Sequence, residues 1–179
     1  MATSYNNFGS ICKYQGDLEQ AKECHQRALK IRLDKLGPEH VDVGKSYNNL
    51  ASVYKHLGDL EQAKEYQQRA LKIILDKLGP EHVDVATSYN NLASVHKQLG
   101  DMEQAKECHQ RALKIRLDKL GPEHVDVARS YNNLASIYKH LGDFEQAKEY
   151  QQRALKIRLY KLGPEHVVVA TTYNNLALI

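Results

Sequence analysis

A block of 42 residues recurs along this chain of 179 residues. The motif GPEH marks the repeats at 37–40, 79–82, 121–124 and 163–166. Residues 43–84 and 85–126 are identical at 34 of 42 positions. Sequences with such a period stack one supersecondary unit on the next, and each unit contacts only its neighbours. The period therefore predicts a solenoid of repeated units.

Each repeat contains two amphipathic helical patterns separated by a turn. The first pattern runs from about Val43 to Leu57, with apolar residues spaced at three and four positions. Gly58 ends it, and the second pattern runs from about Leu60 to Leu78 before a Gly-Pro pair stops it. The sequence therefore predicts an all-α fold in which residues 1–179 form a single array of antiparallel helix hairpins. The expected hairpins span about 1–42, 43–84, 85–126 and 127–168, followed by a lone first helix at 169–179.

Composition argues against several classes of protein. The 25 basic and 22 acidic residues are mixed along the chain, so no basic block indicates a nucleic-acid partner. No apolar run approaches the roughly 18 residues that a membrane-spanning helix needs. The N-terminal residues lack the pattern of a signal peptide, and Cys12, Cys24 and Cys108 suggest no disulfide framework. We therefore expect a cytoplasmic protein that binds neither nucleic acid nor membranes.

The loop histidines do not predict a metal site. They occur once per repeat, so neighbouring copies should lie about one hairpin, roughly 10 Å, apart, which is too far to share one ion. A catalytic site needs unlike groups that converge, whereas a repeat spreads like residues along an axis. We therefore predict no enzyme activity, no metal and no cofactor. The four histidines are His40, His82, His124 and His166.

The signature positions of each repeat carry, in order, aromatic, leucine, small, aromatic, glycine, alanine and alanine. In the second repeat these are Tyr47, Leu50, Ala51, Tyr54, Gly58, Ala63 and Ala70. This order resembles the tetratricopeptide repeat, whose basic unit has about 34 residues. The longer unit here, with NNLA in its first helix and RALKI before LGPEH, resembles the kinesin light chain subtype. The resemblance implies a right-handed α-solenoid, the tetratricopeptide superhelix. One departure is the valine after each loop histidine, where the subtype usually has proline.

One face of each first helix is rich in amides and nearly free of acids. A helix face exposed only to water would favour Glu, Lys and Gln. The resemblance implies that first helices line the concave groove of the superhelix. An amide offers both a donor and an acceptor, which suits the backbone of an extended peptide, and the lysines favour acidic side chains. In the second repeat this face comprises Lys45, Asn48, Asn49, Ser52, Lys55 and His56.

The resemblance assigns the second asparagine of each NNLA motif to contact with the main chain or terminal carboxylate of a ligand. These residues are Asn7, Asn49, Asn91, Asn133 and Asn175. The other candidates on the concave face are Asn48, Asn90, Asn132, Ser52, Ser94, Ser136, Lys55, Lys97, Lys139, Lys45 and Arg129. An alternative role for the asparagines is a hydrogen-bonded ladder between neighbouring first helices. The sequence favours the ladder for Asn48 and its copies and leaves both roles open for Asn49 and its copies.

Two functions are consistent with these features. The first is a non-catalytic protein–protein interaction scaffold that binds an extended or short helical peptide in its concave groove, with a preference for acidic partners. The second is a structural spacer or a self-assembling array that stacks end to end through uncapped terminal helices. The apolar residues Leu178 and Ile179, which close the chain, favour the second function.

Overall fold

The computed structural model describes every residue from Met1 to Ile179, and the chain forms nine α-helices. They pair into four hairpins followed by a lone helix, and each helix packs against the next one along the chain. This is the all-α repeat solenoid that the period predicts. None of the nine helices combines the length and the apolar character that crossing a lipid bilayer requires. The helices are α1 (Ala2–Gln15), α2 (Leu18–Leu36), α3 (Val41–Leu57), α4 (Leu60–Leu78), α5 (Val83–Leu99), α6 (Met102–Leu120), α7 (Val125–His140), α8 (Phe144–Leu162) and α9 (Val167–Ala177).

A Gly-Asp turn joins the two helices of a hairpin. Gly58 ends α3 with φ of 85°, in the left-handed region that residues with a side chain rarely adopt. Asp59 then caps α4, because its Oδ1 accepts a hydrogen bond from the backbone N–H of Gln62 at 3.1 Å. Asp101 is the exception, since its carboxylate lies 3.3 Å from Nδ1 of His96 and does not cap α6.

The first helices begin two residues earlier than the apolar pattern indicates. α3 begins at Val41 and not at Val43, because Nδ1 of His40 accepts a hydrogen bond from the backbone N–H of Asp42 at 3.1 Å. Histidine is outside the usual set of capping residues, so this start could not be predicted from the sequence. The expected hairpin boundaries move by the same two residues. The other loop histidines, His82, His124 and His166, cap α5, α7 and α9 in the same way.

The core runs between the helices of each hairpin and between adjacent hairpins. In α3 Val43, Leu50 and Ala51 are buried, as the spacing predicts, and Val53 is buried as well although it lies outside the predicted stripe. In α4 the facing positions are Ala63 and Ala70, both without exposed surface. Alanine at these positions lets two helices approach closely while the larger residues of the neighbour fill the space. Hence every hairpin requires the same small residues.

Alternate hairpins differ in some of the side chains that pack between their two helices. In the second hairpin Tyr54 stacks on Tyr66 with ring centroids 5.3 Å apart, and in the fourth Tyr138 stacks on Tyr150 at 5.4 Å. The first and third hairpins have no tyrosine pair at these positions and carry Cys12 with Cys24 and His96 with Cys108. The next position along the second helix alternates too, and all four of its side chains are buried: His25, Gln67, His109 and Gln151.

Some charged residues of the second helices pair with one another, with an aromatic ring or with a carboxylate of the preceding loop. Arg69 and Glu65 form the i,i+4 ion pair that their spacing predicts. Arg111 lies over the ring of Tyr89 at 5.5 Å from its centroid. Between hairpins, Nζ of Lys77 lies 2.9 Å from Glu39 in the preceding loop. Arg69, Arg111 and Lys77 therefore make their contacts within the array.

Candidate functional site

The first helices present one polar surface along the array, which we call the amide face. It consists of the two asparagines, the serine and the lysine of each repeat, which in α3 are Asn48, Asn49, Ser52 and Lys55. Each of these four side chains is partly buried. Because first helices of neighbouring hairpins lie side by side, with α3 against α5, their polar side chains can bond across the junctions between hairpins.

A ladder of asparagines crosses three of the four junctions. Nδ2 of Asn49 donates to Oδ1 of Asn6 in the preceding hairpin at 2.6 Å. Asn133 donates to Asn90 in the same way at 2.6 Å, and Asn175 donates to Asn132 at 3.2 Å. The second asparagine of one motif thus bonds the first asparagine of the motif before it. Both asparagines have a structural role at these junctions, which is the alternative that the sequence left open.

A second ladder joins lysines to serines. Nζ of Lys13 donates to Oγ of Ser52 at 3.0 Å, Lys55 donates to Ser94 at 3.1 Å, and Lys97 donates to Ser136 at 2.7 Å. Burial lowers the pKa of Lys55 and of Lys97. The ammonium groups are therefore held at fixed positions along the amide face, and each keeps N–H donors beyond the one that its serine accepts.

The last lysine of the series, Lys139, lacks its serine. Leu178 occupies the position equivalent to Ser136. Lys139 has no hydroxyl partner there and lines a cavity of about 360 Å³ together with Asn175 and Leu178. At the other end of the array, Asn7 is exposed and forms no ladder bond.

Two of the expected groove residues lie near the start of their helices and pair with aspartates. Nζ of Lys45 lies 3.4 Å from Oδ2 of Asp84 in the next first helix. Arg129 pairs with Asp126 of its own helix at 3.1 Å, because the position equivalent to Asp84 is Val168. The structure thus assigns Lys45 and Arg129 to ion pairs at the helix starts and not to the two ladders.

The asparagine ladder is interrupted at the junction between the second and third hairpins. Asn91 makes no hydrogen bond to Asn48, whose Nδ2 instead donates weakly to Oγ of Ser88 at 3.4 Å. Oδ1 of Asn48 is buried and has no hydrogen-bond partner, and neither has Oε1 of the buried Gln67. A buried acceptor without a donor is unfavourable. This junction alone leaves amide oxygens without partners, although Nδ1 of His25 and Nδ1 of His109, at the positions equivalent to Gln67, are also buried without a partner.

The fourth hairpin shows how the same positions close elsewhere. There Nε2 of Gln151 donates to Oδ1 of Asn132 at 3.2 Å. Arg158 lies beside them, with its guanidinium 2.5 Å from Oγ1 of Thr172 and 3.5 Å from Oδ1 of Asn132. In the second hairpin the residue equivalent to Arg158 is Ile74. Isoleucine cannot donate a hydrogen bond, and the amide oxygens of Asn48 and Gln67 are left without partners.

A cavity of about 230 Å³ opens at this junction. Its polar lining brings together the unpartnered amide oxygens of Asn48 and Gln67, the amide of Asn91, and the ammonium groups of Lys13 and Lys55. The sequence prediction included Asn48, Asn91 and Lys55. It missed Lys13, which the period itself equates with Lys55, and Gln67, which belongs to a second helix. No group of three or more metal-binding side chains comes together anywhere in the chain.

Comparison with protein families finds the tetratricopeptide repeat, whose model matches residues 1–76, 42–118, 84–159 and 126–179. Comparison with curated proteins finds no match. Among solved structures, BtubC (BKLC) from P. vanneervenii is similar, with a TM-score of 0.82 and 30% identity over 90% of this chain. This chain spans 65% of the length of BtubC.

A second similar structure is the Podosopora anserina putative kinesin light chain with nearly identical TPR-like repeats. Its TM-score is 0.84 at 24% identity, over 98% of this chain and 83% of that one. A variant of the same protein gives a TM-score of 0.85 at the same identity and the same coverage. These likenesses extend over nearly all nine helices and agree with the 42-residue subtype.

Proposed function

The chain belongs to the tetratricopeptide repeat family, in its kinesin light chain-like form, and we propose that its amide face binds an extended peptide segment of a partner protein. Members of this family generally act as protein–protein interaction scaffolds. The finer statement, that a peptide lies along the amide face of this chain, is supported by one observation above all. The amide of Asn91 forms no hydrogen bond with a neighbouring asparagine, and it lines a cavity together with the ammonium groups of Lys13 and Lys55.

The charge of the amide face favours an acidic peptide. Lys13, Lys55 and Lys97 lie along it, each bonded to a serine that carries no charge. No aspartate or glutamate replaces an asparagine or serine of the amide face in any repeat. An ammonium group held in a partly buried place attracts a carboxylate more strongly than one surrounded by water. We propose that this scaffold acts in the cytoplasm.

Binding of a fluorescein-labelled acidic nonapeptide, followed by anisotropy, tests the proposal. We expect Asn91→Ala to weaken binding by about fivefold, since one hydrogen bond is worth about 1 kcal/mol. Lys55→Gln should weaken it similarly or more, whereas Lys72→Gln removes the same charge from an exposed position on α4 and should change it little. Equal affinities for all these variants and the parent chain would place the binding surface elsewhere.

A second candidate function is end-to-end association of the array. Large apolar side chains are exposed at both ends: Ile11 and Tyr14 on α1 are 53% and 94% exposed, and Val167 and Leu178 are 72% and 68% exposed. Leu178→Ser restores the residue that other repeats have and should reduce association. Sedimentation of the parent chain and this variant over a hundredfold concentration range tests it, and a concentration-independent monomer would argue against the idea.

A further inference from the structure

We infer that the cavity between the second and third hairpins is a subsite for a primary carboxamide, the side chain of an asparagine or glutamine in the bound peptide. This inference rests on the proposed function, because it assumes that a peptide lies along the amide face. It adds a chemical specificity at one position of that peptide, which we call the junction subsite. The junction subsite comprises Lys13, Asn48, Lys55, Gln67 and Asn91.

The acceptors of the junction subsite call for a ligand with two N–H donors. Oε1 of Gln67 and Oδ1 of Asn48 are both buried without a hydrogen-bond partner. Gln67 is only 3% exposed, so bulk water does not solvate it freely. A primary carboxamide has two N–H donors on one nitrogen. One such group can therefore supply the donors that these two oxygens lack.

The cations of the junction subsite call for an acceptor on the same ligand. Lys13 and Lys55 each give one N–H to a serine and retain others. The carbonyl oxygen of a carboxamide accepts from an ammonium group. A carboxylate would also accept, but it brings no donor and would place a negative charge beside two acceptor oxygens. An ammonium ligand would be repelled by both lysines, and an apolar side chain would leave both buried oxygens unpaired.

The junction subsite depends on a local exchange and is not a general property of the repeat. Ile74 packs against Gly44, whereas an arginine faces an alanine at the equivalent positions of the other hairpins, such as Arg158 and Ala128. In the fourth hairpin that arginine and Gln151 both bond Asn132. The double substitution Gly44→Ala with Ile74→Arg therefore installs a pair that this chain already folds with, and it should close the junction subsite.

Three labelled nonapeptides test the inference. The first consists of glutamates throughout, the second has glutamine at its central position, and the third has leucine there. We expect the glutamine peptide to bind the parent chain about fivefold more tightly than either of the others, as one satisfied hydrogen bond would give. In the Gly44→Ala/Ile74→Arg variant this advantage should disappear while the leucine peptide binds as before. Circular dichroism confirms that the variant is folded.

The side-chain amide resonances of Gln67 and Asn48 give a readout at the junction subsite itself. We expect both to shift when the glutamine peptide binds and neither to shift with the leucine peptide. Three results would overturn the inference while leaving peptide binding intact: equal affinities for all three peptides, tighter binding of the all-glutamate peptide, or a glutamine advantage that survives in the double variant. Absence of binding by every peptide would overturn the proposed function together with this inference.

Discussion

Ile74 lies so close to Gly44 that a β-carbon on the glycine would sit 3.0 Å from Cγ1 of the isoleucine. The equivalent residues in the other hairpins are arginine and alanine. Glycine inside a helix is unfavourable by about 1 kcal/mol relative to alanine. Its presence here is explained by the space that the branched isoleucine takes, so the two exchanges belong together. The same exchange removes the arginine that, in the fourth hairpin, bonds the amide oxygen of Asn132.

A double-mutant cycle at these two positions should show coupling. Gly44→Ala alone gains helix propensity but presses on packed Ile74, and we expect it to destabilise the chain by about 1 kcal/mol. In the presence of Ile74→Arg the same change should stabilise by about 1 kcal/mol. Urea unfolding of the four proteins measures the coupling. Additive effects would show that the two residues do not constrain each other.

Gly9→Ala is the matched control for that cycle. A β-carbon at Gly9 would approach the ring of His25 at 3.0 Å. In the third hairpin the equivalent residues are Ala93 and His109, and both are buried together. The ring can therefore accept an alanine, and we expect Gly9→Ala to be neutral or stabilising. Alanine should therefore have different effects at Gly9 and Gly44, because one glycine faces His25 and the other faces Ile74.

The sequence predicted the helix hairpins of this molecule better than the hydrogen bonds between hairpins. The spacing of Leu50, Ala51 and Ala63 is enough to predict hairpins, because every repeat buries the same small and apolar residues. The interruption of the ladder at Asn48 could not be predicted in this way. It depends on the loss of the arginine at position 74, whose equivalent Arg158 bonds Asn132 and Thr172, 26 positions before it and 14 positions after it. The substitution is visible in the sequence, but its effect on hydrogen bonding is not.

The two asparagines Asn91 and Asn133 should differ in their effect on stability. They occupy the same position of successive repeats, but Asn133 donates to Asn90 at 2.6 Å while Asn91 makes no ladder bond. We expect Asn133→Ala to reduce the free energy of unfolding by about 1 kcal/mol. Asn91→Ala should change it by less than about 0.5 kcal/mol. Thermal or urea unfolding measures both, and equal losses would contradict the interrupted ladder.

The loop histidines should contribute to stability as helix caps. His82→Ala removes the acceptor for the backbone N–H of Asp84, a bond of 3.1 Å, and we expect a loss of about 1 kcal/mol. His82→Asn supplies another capping side chain and should retain most of the stability. Hydrogen exchange at the first turn of α5 localises the effect. An equal loss for both variants would mean that the imidazole acts in some other way than by capping.

Acid should destabilise the array through the buried histidines of the first and third hairpins. Burial, assisted by the positive charges of Lys13 and Arg32, lowers the pKa of His25 from 6.5 to about 4. Burial, assisted by Arg116 and Lys97, lowers the pKa of His109 to the same value. The unfolded chain therefore binds more protons than the folded one between these pH values. Stability falls as the pH drops through about 6.5 and stops falling on this account below about 4.

The second and fourth hairpins supply the matched substitution, because glutamine occupies the same buried position as Gln67 and Gln151. We expect the variant with His25→Gln and His109→Gln to lose less stability than the parent chain between pH 7 and pH 4, by about 3 kcal/mol for the two sites after allowance for screening. Loop carboxylates such as Glu39, whose pKa Lys77 lowers, are common to both proteins and cancel. Urea unfolding across this range measures the difference, and parallel pH profiles would show that the buried histidines do not control the acid response.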